Sequence, residues 1–564
     1  MSKVSQLKSF FDTVAKKNKQ EKKLQHKEGK NRNKNKKQNN KNKKHNKKNY
    51  KSRTGAVLVA DEEFHRIKDE CYNAVQEIID AGEPFFDEEF NLFDPELCLE
   101  TIYGQKTQPT FAMKEFKDLD YRLVRITDAV PEGIELSVFY DGASATDIVQ
   151  GYNGTCYFLG ALMCVAEHHK FLSQLVVHHS IELGVYGIMF FADEEWTYVI
   201  IDDFFPFLAN GTLLVSKAVD VNELWVSLFE KAYAKFYGSF DMIDHGFGSK
   251  AIIDLTGGIP IRIPVVWEVV NAALKSDQYC LCCFLMVSGT DQERIDNGLI
   301  PGHMYSILNT VELDGVCLIN VRNPHGQGEW NGDYSDNSKK WTPRLKQACQ
   351  HVNKDDGSFW MEFKDFAEWF GIDAVRLFTR EHGYSKLMGE SWFEFEDTDN
   401  IEEKLDHLYN EGYYVLDLHE DADVALCLTQ ADPDKCEDWN IKRNDLFAIG
   451  YSIARFNCEI DDIFDAFENN EFELIYDTGP LVERHHLAFE GELQAGVYVL
   501  IPRFDLAGCA YSVRVFTTSR SYEYEYFYAD DAEWDEYYDD EGYEEGYDEG
   551  YEEGYEEEEE EEGY

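Results

Sequence analysis

Cys156, His303 and Asn323 are residues whose types and order suit acyl-transfer chemistry. Cys156 opens the apolar run CYFLGALMCVAEHHKFLSQLVV, and a cysteine at a helix start meets unpaired amides and a dipole that favour thiolate over thiol. His303 follows in GHMYS, where a strand begins, and Asn323 lies in RNPHG, where another ends. A thiolate, an imidazole that carries a proton and a side-chain amide that holds the ring form a set for attack on a carbonyl. Gln150, shortly before Cys156, could aim its amide at the oxyanion formed in that attack, beside the Cys156 backbone amide. Singly these residues say little, because a lone cysteine at a helix start is more often a buried thiol and a histidine beside a strand is usually only packed. The constellation carries the reading.

The elements that must position these residues differ in texture. From about 60 to 258 the pattern is first helical, EFHRIKDECYNAVQEIIDAG, then a loop region, then the apolar run after Cys156. Phe158, Leu162, Val165 and His169 follow at the spacing of one helical face, with Gly154 and Thr155 as turn and cap. From about 259 to 385 short β-rich pieces dominate, among them CLCCFLMV, MYSILNTVEL and GVCLINVRN. From about 386 to 518 YYVLDL, DVALCLTQ, GVYVLIP and YSVRVFTT recur between turn signals, as in an antiparallel sandwich. The expected class is therefore α+β.

Composition bounds the rest. A chain of 564 residues with 43% apolar and 14% aromatic content can fill two or three cores. No run reaches the ~18 apolar residues of a membrane span, and no compact hydrophobic stretch follows the amino-terminal charges. The 13 cysteines are odd in number and lack paired metal-ligand spacing, so reduced thiols and a cytoplasmic location are expected. The net charge of -54 hides an opposition: residues 1 to 53 carry roughly +17 and residues 521 to 564 roughly -23. The basic arm, residues 1–54, has too little apolar surface to offset its ordering entropy, and the acidic tail, residues 519–564, repels itself, so both are expected to be disordered. The arm is a candidate anchor for anionic lipid, nucleic acid being the less favoured partner. The tail contains no EF-hand loop pattern.

At the three reactive positions the sequence resembles the calpain family. The family's DICQGxLGDCWFLAAL reads DIVQGYNGTCYFLGAL here, from Asp147 to Leu162. Its GHAYS reads GHMYS, and its RNPWGxxEWxGxWSD reads RNPHGQGEWNGDYSD, from Arg322 to Asp336. VIIDDFFP ending in Pro206, LWVSLFEKAYAK from Leu224, the TGG from Thr256 and DGSFWMEFKDF from Asp356 extend the likeness, and LQAGVYVLIPRFD and YSVRVF resemble the calpain β-sandwich.

The resemblance implies a two-lobed papain-like cysteine protease core, residues 55–385, with a helical lobe at about 80–258 and a β-rich lobe at about 259–385. A C2-like sandwich, residues 386–518, is implied after it. Cys156 would stand on the first lobe and His303 and Asn323 on the second, in a calcium-dependent endopeptidase making limited cuts in protein substrates. The alternative is a silent scaffold that binds partners or, through the sandwich, an anionic membrane. One implied calcium site has Asp147 and Glu223 as carboxylate ligands and Tyr140 and Gly142 as carbonyl donors. A second has Glu329, Asp336 and Asp356, with Ser358 where the family carries a glutamate. Three further departures bear on activity: His325 and Tyr157 stand in place of tryptophans, and Thr155 in place of an aspartate. With no EF-hand dimerisation module in the sequence, no small-subunit partner of that kind is expected.

Overall fold

A computed structural model describes residues 62–92, 99–100, 106–107, 121–390, 413–430 and 448–527, apart from short gaps. The basic arm and the acidic repeats beyond 527 lie outside the described residues. The described residues begin with the helix Glu62–Ala81, which turns Phe64, Ile67, Cys71 and Val75 inward at three-to-four spacing. It packs on an antiparallel sheet of Val176–Ser180, Val185–Ala192 and Glu195–Asp202. Gly187 permits the approach, since a Cβ there would stand 2.6 Å from the Cys71 sulfur.

The first lobe is built around the helix Cys156–Ala166, every residue of which is buried. The apolar run after Cys156 does not continue as one helix. It breaks at Glu167–His168, resumes as His169–Leu175 and passes into a strand at Val176. A run apolar on all sides has no periodicity to mark such a break. The helices Trp225–Tyr237 and Gly248–Thr256 complete the lobe around Phe158, Phe190, Phe229 and Tyr233.

The second lobe is a six-stranded antiparallel sheet in the order Ile259–Ile261, Phe370–Arg376, Tyr279–Leu285, Met304–Leu313, Val316–Arg322, Ser358–Glu362. His303 immediately precedes one central strand and Asn323 immediately follows its hairpin partner, so pairing of Ser306 with Arg322 brings the two side chains to one end of the hairpin.

Two further antiparallel sheets form the sandwich. One orders Gly383–Glu390, Ala510–Thr517, Ala422–Gln430 and His486–Leu493; the other includes Phe472–Asp477, Ala448–Phe456, Gly496–Phe504, Tyr413–Leu418 and Tyr522–Phe527. The last strand lies beyond the boundary expected at 518. Its YEYEYF sequence blends into the acidic tail by composition, yet Tyr522, Tyr524 and Tyr526 alternate and pack against the sandwich core. Arg376 joins the second lobe to the sandwich through Asp423 and Glu490, and Arg514 donates to the Gly257 carbonyl at 2.8 Å.

Candidate active site

Cys156 is the first residue of its helix and is 8% exposed. Thr155 occupies the N-cap position but does not cap with its side chain. Its hydroxyl donates instead to Glu230 Oε1 at 2.5 Å. Glu230 is fully buried on the helix Trp225–Tyr237 and also accepts from the Ser216 amide (2.6 Å) and the Ser216 hydroxyl (2.7 Å). Ser216 Oγ in turn accepts from the Gly151 amide at 3.1 Å. One buried carboxyl thus holds both ends of the Gly151–Thr155 loop in front of Cys156. Burial raises its pKa, against the lowering effect of these donors. Sequence reasoning missed Glu230; the signal was an acid inside LWVSLFEKAYAK, among residues otherwise suited to a buried face.

His303 and Asn323 are both fully buried. His303 Nε2 lies 2.8 Å from Asn323 Oδ1. The Asn323 amide nitrogen donates to the carbonyls of Gln327 and Gly328, each at 3.0 Å, which fixes its oxygen toward the imidazole. That network assigns the proton to Nε2. Nδ1 is buried and finds no hydrogen-bond partner among the described residues. His325 stands over the pair, its ring 4.3 Å from that of His303 at 33° and its backbone amide donating to Asn323 Oδ1 at 3.0 Å. Burial first, and then the neighbouring His325, push the His303 pKa down to about 3. Burial therefore works against a charged imidazole in this arrangement.

The two lobes meet along the Cys156 helix. Ser306 Oγ donates to the Gly160 carbonyl at 2.6 Å, and a Cβ on Gly160 would stand 3.1 Å from Met304 Cγ. Gly160 lies one helical turn beyond Cys156, and Met304 is the residue after His303. The Tyr305 ring is edge-on to His303 at 5.0 Å, and its phenol pKa is raised by burial first, then by Cys283 and least by Cys156. Gln150 lies on the first-lobe side, where its backbone amide donates to the Pro324 carbonyl at 2.8 Å. Its side-chain Nε2 donates to the Asn153 carbonyl at 2.8 Å, which uses one of its two N–H groups.

The two sets of acids differ. Glu223 is nearly buried and accepts from the Tyr140 amide at 3.0 Å. Burial, and then the Asp147 charge, push its pKa up to about 8. Two mutually repelling carboxyls, strapped to a loop that takes positive φ at Asp141 and Gly142, suit a hard cation. The second set is arranged otherwise. Glu329 accepts from the amides of Asp356 and Gly357, Asp336 from that of Lys354 and Asp356 from that of Ser358, so these carboxyls brace the 354–358 loop. Among the described residues no three of His, Cys, Asp or Glu converge as a metal group. Burial, and then the Asp336 charge, nevertheless push the Glu329 pKa up to about 7, so these acids also crowd one another, while Ser358 Oγ accepts from Arg322 at 2.8 Å.

A helical lobe and an antiparallel sheet lobe that meet beside a buried cysteine, histidine and asparagine, followed by a β-sandwich, define a two-lobed cysteine protease architecture. Residues 96–375 match the model of the calpain family cysteine proteases, and the chain carries a calpain-type protease domain. It is 35% identical over 262 residues to the calpain-type cysteine protease DEK1 of Arabidopsis thaliana, a match covering 44% of this chain and 12% of that protein. Calpain-9 of Mus musculus is 35% identical over 42% of this chain and 36% of its own length. Calpain-14 of Homo sapiens is 29% identical over 57% of this chain and 51% of its own. The chain thus spans about half or less of the length of these relatives.

Proposed function

We propose that this protein is a calcium-dependent intracellular cysteine endopeptidase that makes limited cuts in protein substrates through Cys156, His303 and Asn323. The observation that supports this most is the His303–Asn323 hydrogen bond, which leaves Nδ1 buried beside the segment packed on the Cys156 helix. His303 begins neutral and takes the Cys156 proton on Nδ1 as the sulfur attacks a peptide carbonyl. The oxyanion is stabilised by the Cys156 backbone amide and the second N–H of Gln150. His303 then protonates the leaving amine, the acyl group stays on sulfur, and water activated by neutral His303 releases it. Asn323 keeps the ring in one tautomer throughout. Asp147 and Glu223, with the carbonyls of Tyr140 and Gly142, would hold the calcium, which when bound neutralises the repulsion between the two carboxyls. Among the described residues no helix is long and apolar enough to cross a membrane.

Acid quenching during turnover of an activated peptide ester, followed by peptide mass analysis, tests the reading. An acyl adduct on the Cys156 peptide, lost in His303→Ala, is the expected result. An adduct elsewhere, or none during active turnover, contradicts the mechanism.

A further inference from the structure

Arg322 is a large buried polar side chain for which this mechanism has no task. It ends the strand Val316–Arg322, immediately before Asn323, and is 1% exposed. Its guanidinium reaches in two directions. Nη1 donates to the Asp356 carbonyl at 2.6 Å and to Ser358 Oγ at 2.8 Å, both on the second lobe. Nη2 donates to the Thr146 carbonyl at 3.0 Å and the Ile148 carbonyl at 3.1 Å, on the first-lobe segment that leads to Gln150. On the other side of Asn323, the Pro324 carbonyl accepts from the Gln150 amide at 2.8 Å. Just beyond it, a Cβ on Gly326 would stand 3.1 Å from a Val149 methyl. The residues flanking Asn323 therefore grip the 146–150 segment of the opposite lobe.

We propose that Arg322 is a positioning residue that sets the Gln150 segment of the first lobe in register with the His303–Asn323 pair of the second. The inference rests on the Cys156–His303–Asn323 reading given above. Four acceptors lying in two directions require a planar fork of donors, and these four are backbone carbonyls and a hydroxyl, so the contact reads geometry more than charge. A lysine preserves the charge but presents a single ammonium, which cannot serve both lobes at once. Because these bonds align Gln150 with the His303–Asn323 pair, loss of Arg322 should act on the chemical step more than on substrate binding.

The test compares wild type, Arg322→Lys and Ser358→Ala in the full-length chain, measuring kcat, KM and the thermal midpoint with a peptide substrate. Arg322→Lys is expected to fold and to lose about 10- to 100-fold in kcat at a KM within about threefold of wild type, as a misplacement of about 1 Å would cause. Ser358→Ala, which removes one neutral acceptor, is expected to lose about threefold in kcat with KM unchanged, and it decides the matter if Arg322→Lys does not fold. Wild-type kcat in the folded lysine variant, or a fall in kcat that only follows the folded fraction, overturns the proposal. If the lysine variant does not fold, wild-type kcat in Ser358→Ala overturns it. Wild-type activity that survives Cys156→Ala defeats both this inference and the triad reading. Cys156-dependent activity that is indifferent to Arg322 defeats this inference alone.

Discussion

Asn323 offers its carbonyl oxygen to His303 Nε2 at 2.8 Å while its amide nitrogen is tied to the carbonyls of Gln327 and Gly328. The amide cannot turn over without breaking two buried hydrogen bonds. Asn323→Ala should lower kcat by about 10- to 100-fold through loss of imidazole orientation. It should also cost about 1–3 kcal/mol of stability, because Nε2 and two carbonyls lose a buried partner. Steady-state kinetics and thermal unfolding check the two effects separately, and a variant with normal kcat would show that the ring is held by other groups.

The burial of His303 has a consequence for pH. Its folded pKa, about 3, lies below the ordinary histidine value of 6.5. The unfolded chain therefore binds more protons, and this group costs stability as pH falls from about 6.5 toward about 3. His303→Gln removes the titrating group. The difference in thermal midpoint between wild type and variant should shift in favour of the variant on going from pH 7 to pH 4. A difference independent of pH would mean that the imidazole titrates in the fold as it does in the unfolded chain.

Glu230 holds the loop before Cys156 through Thr155 and Ser216. Glu230→Ala strands three buried donors and should cost on the order of 3 kcal/mol, whereas Glu230→Gln, which retains one acceptor oxygen, should cost about 1 kcal/mol. Denaturant unfolding measures both. If the two variants are equally stable, the carboxyl is not what anchors the loop.

Much of this site is legible in the sequence, and the exceptions have local causes. Cys156 at a helix start and His303 and Asn323 at strand ends follow from the apolar residues around them, as do the sandwich strands from apolar runs that recur between turn signals. Thr155 has the right type for a cap, but a buried acid distant in sequence takes its hydroxyl, and no local rule foresees that competition. Glu329, Asp336 and Asp356 look like ligands by type. In the fold their oxygens also accept from the backbone of a neighbouring loop, a second use of the same carboxyls that no local pattern announces. The strand Tyr522–Phe527 is hidden because its outward residues are glutamates that continue the composition of the tail.

The contrast between the two acid sets is itself testable by calorimetric titration with calcium. Glu223→Gln should weaken the calcium affinity by about tenfold or more, through loss of one of two charged ligands. Glu329→Gln should have the smaller effect, since its set has Ser358, already engaged by Arg322, where the family carries a further acid. The reverse order of effects would move the cation to the second lobe.

The central claim is tested most directly by cleavage of an unfolded protein such as casein, with millimolar calcium or with a chelator, by wild type and by Cys156→Ala. The account predicts fragments only from the wild-type protein with calcium. Equal cleavage by wild type and Cys156→Ala, or cleavage by neither, would contradict it.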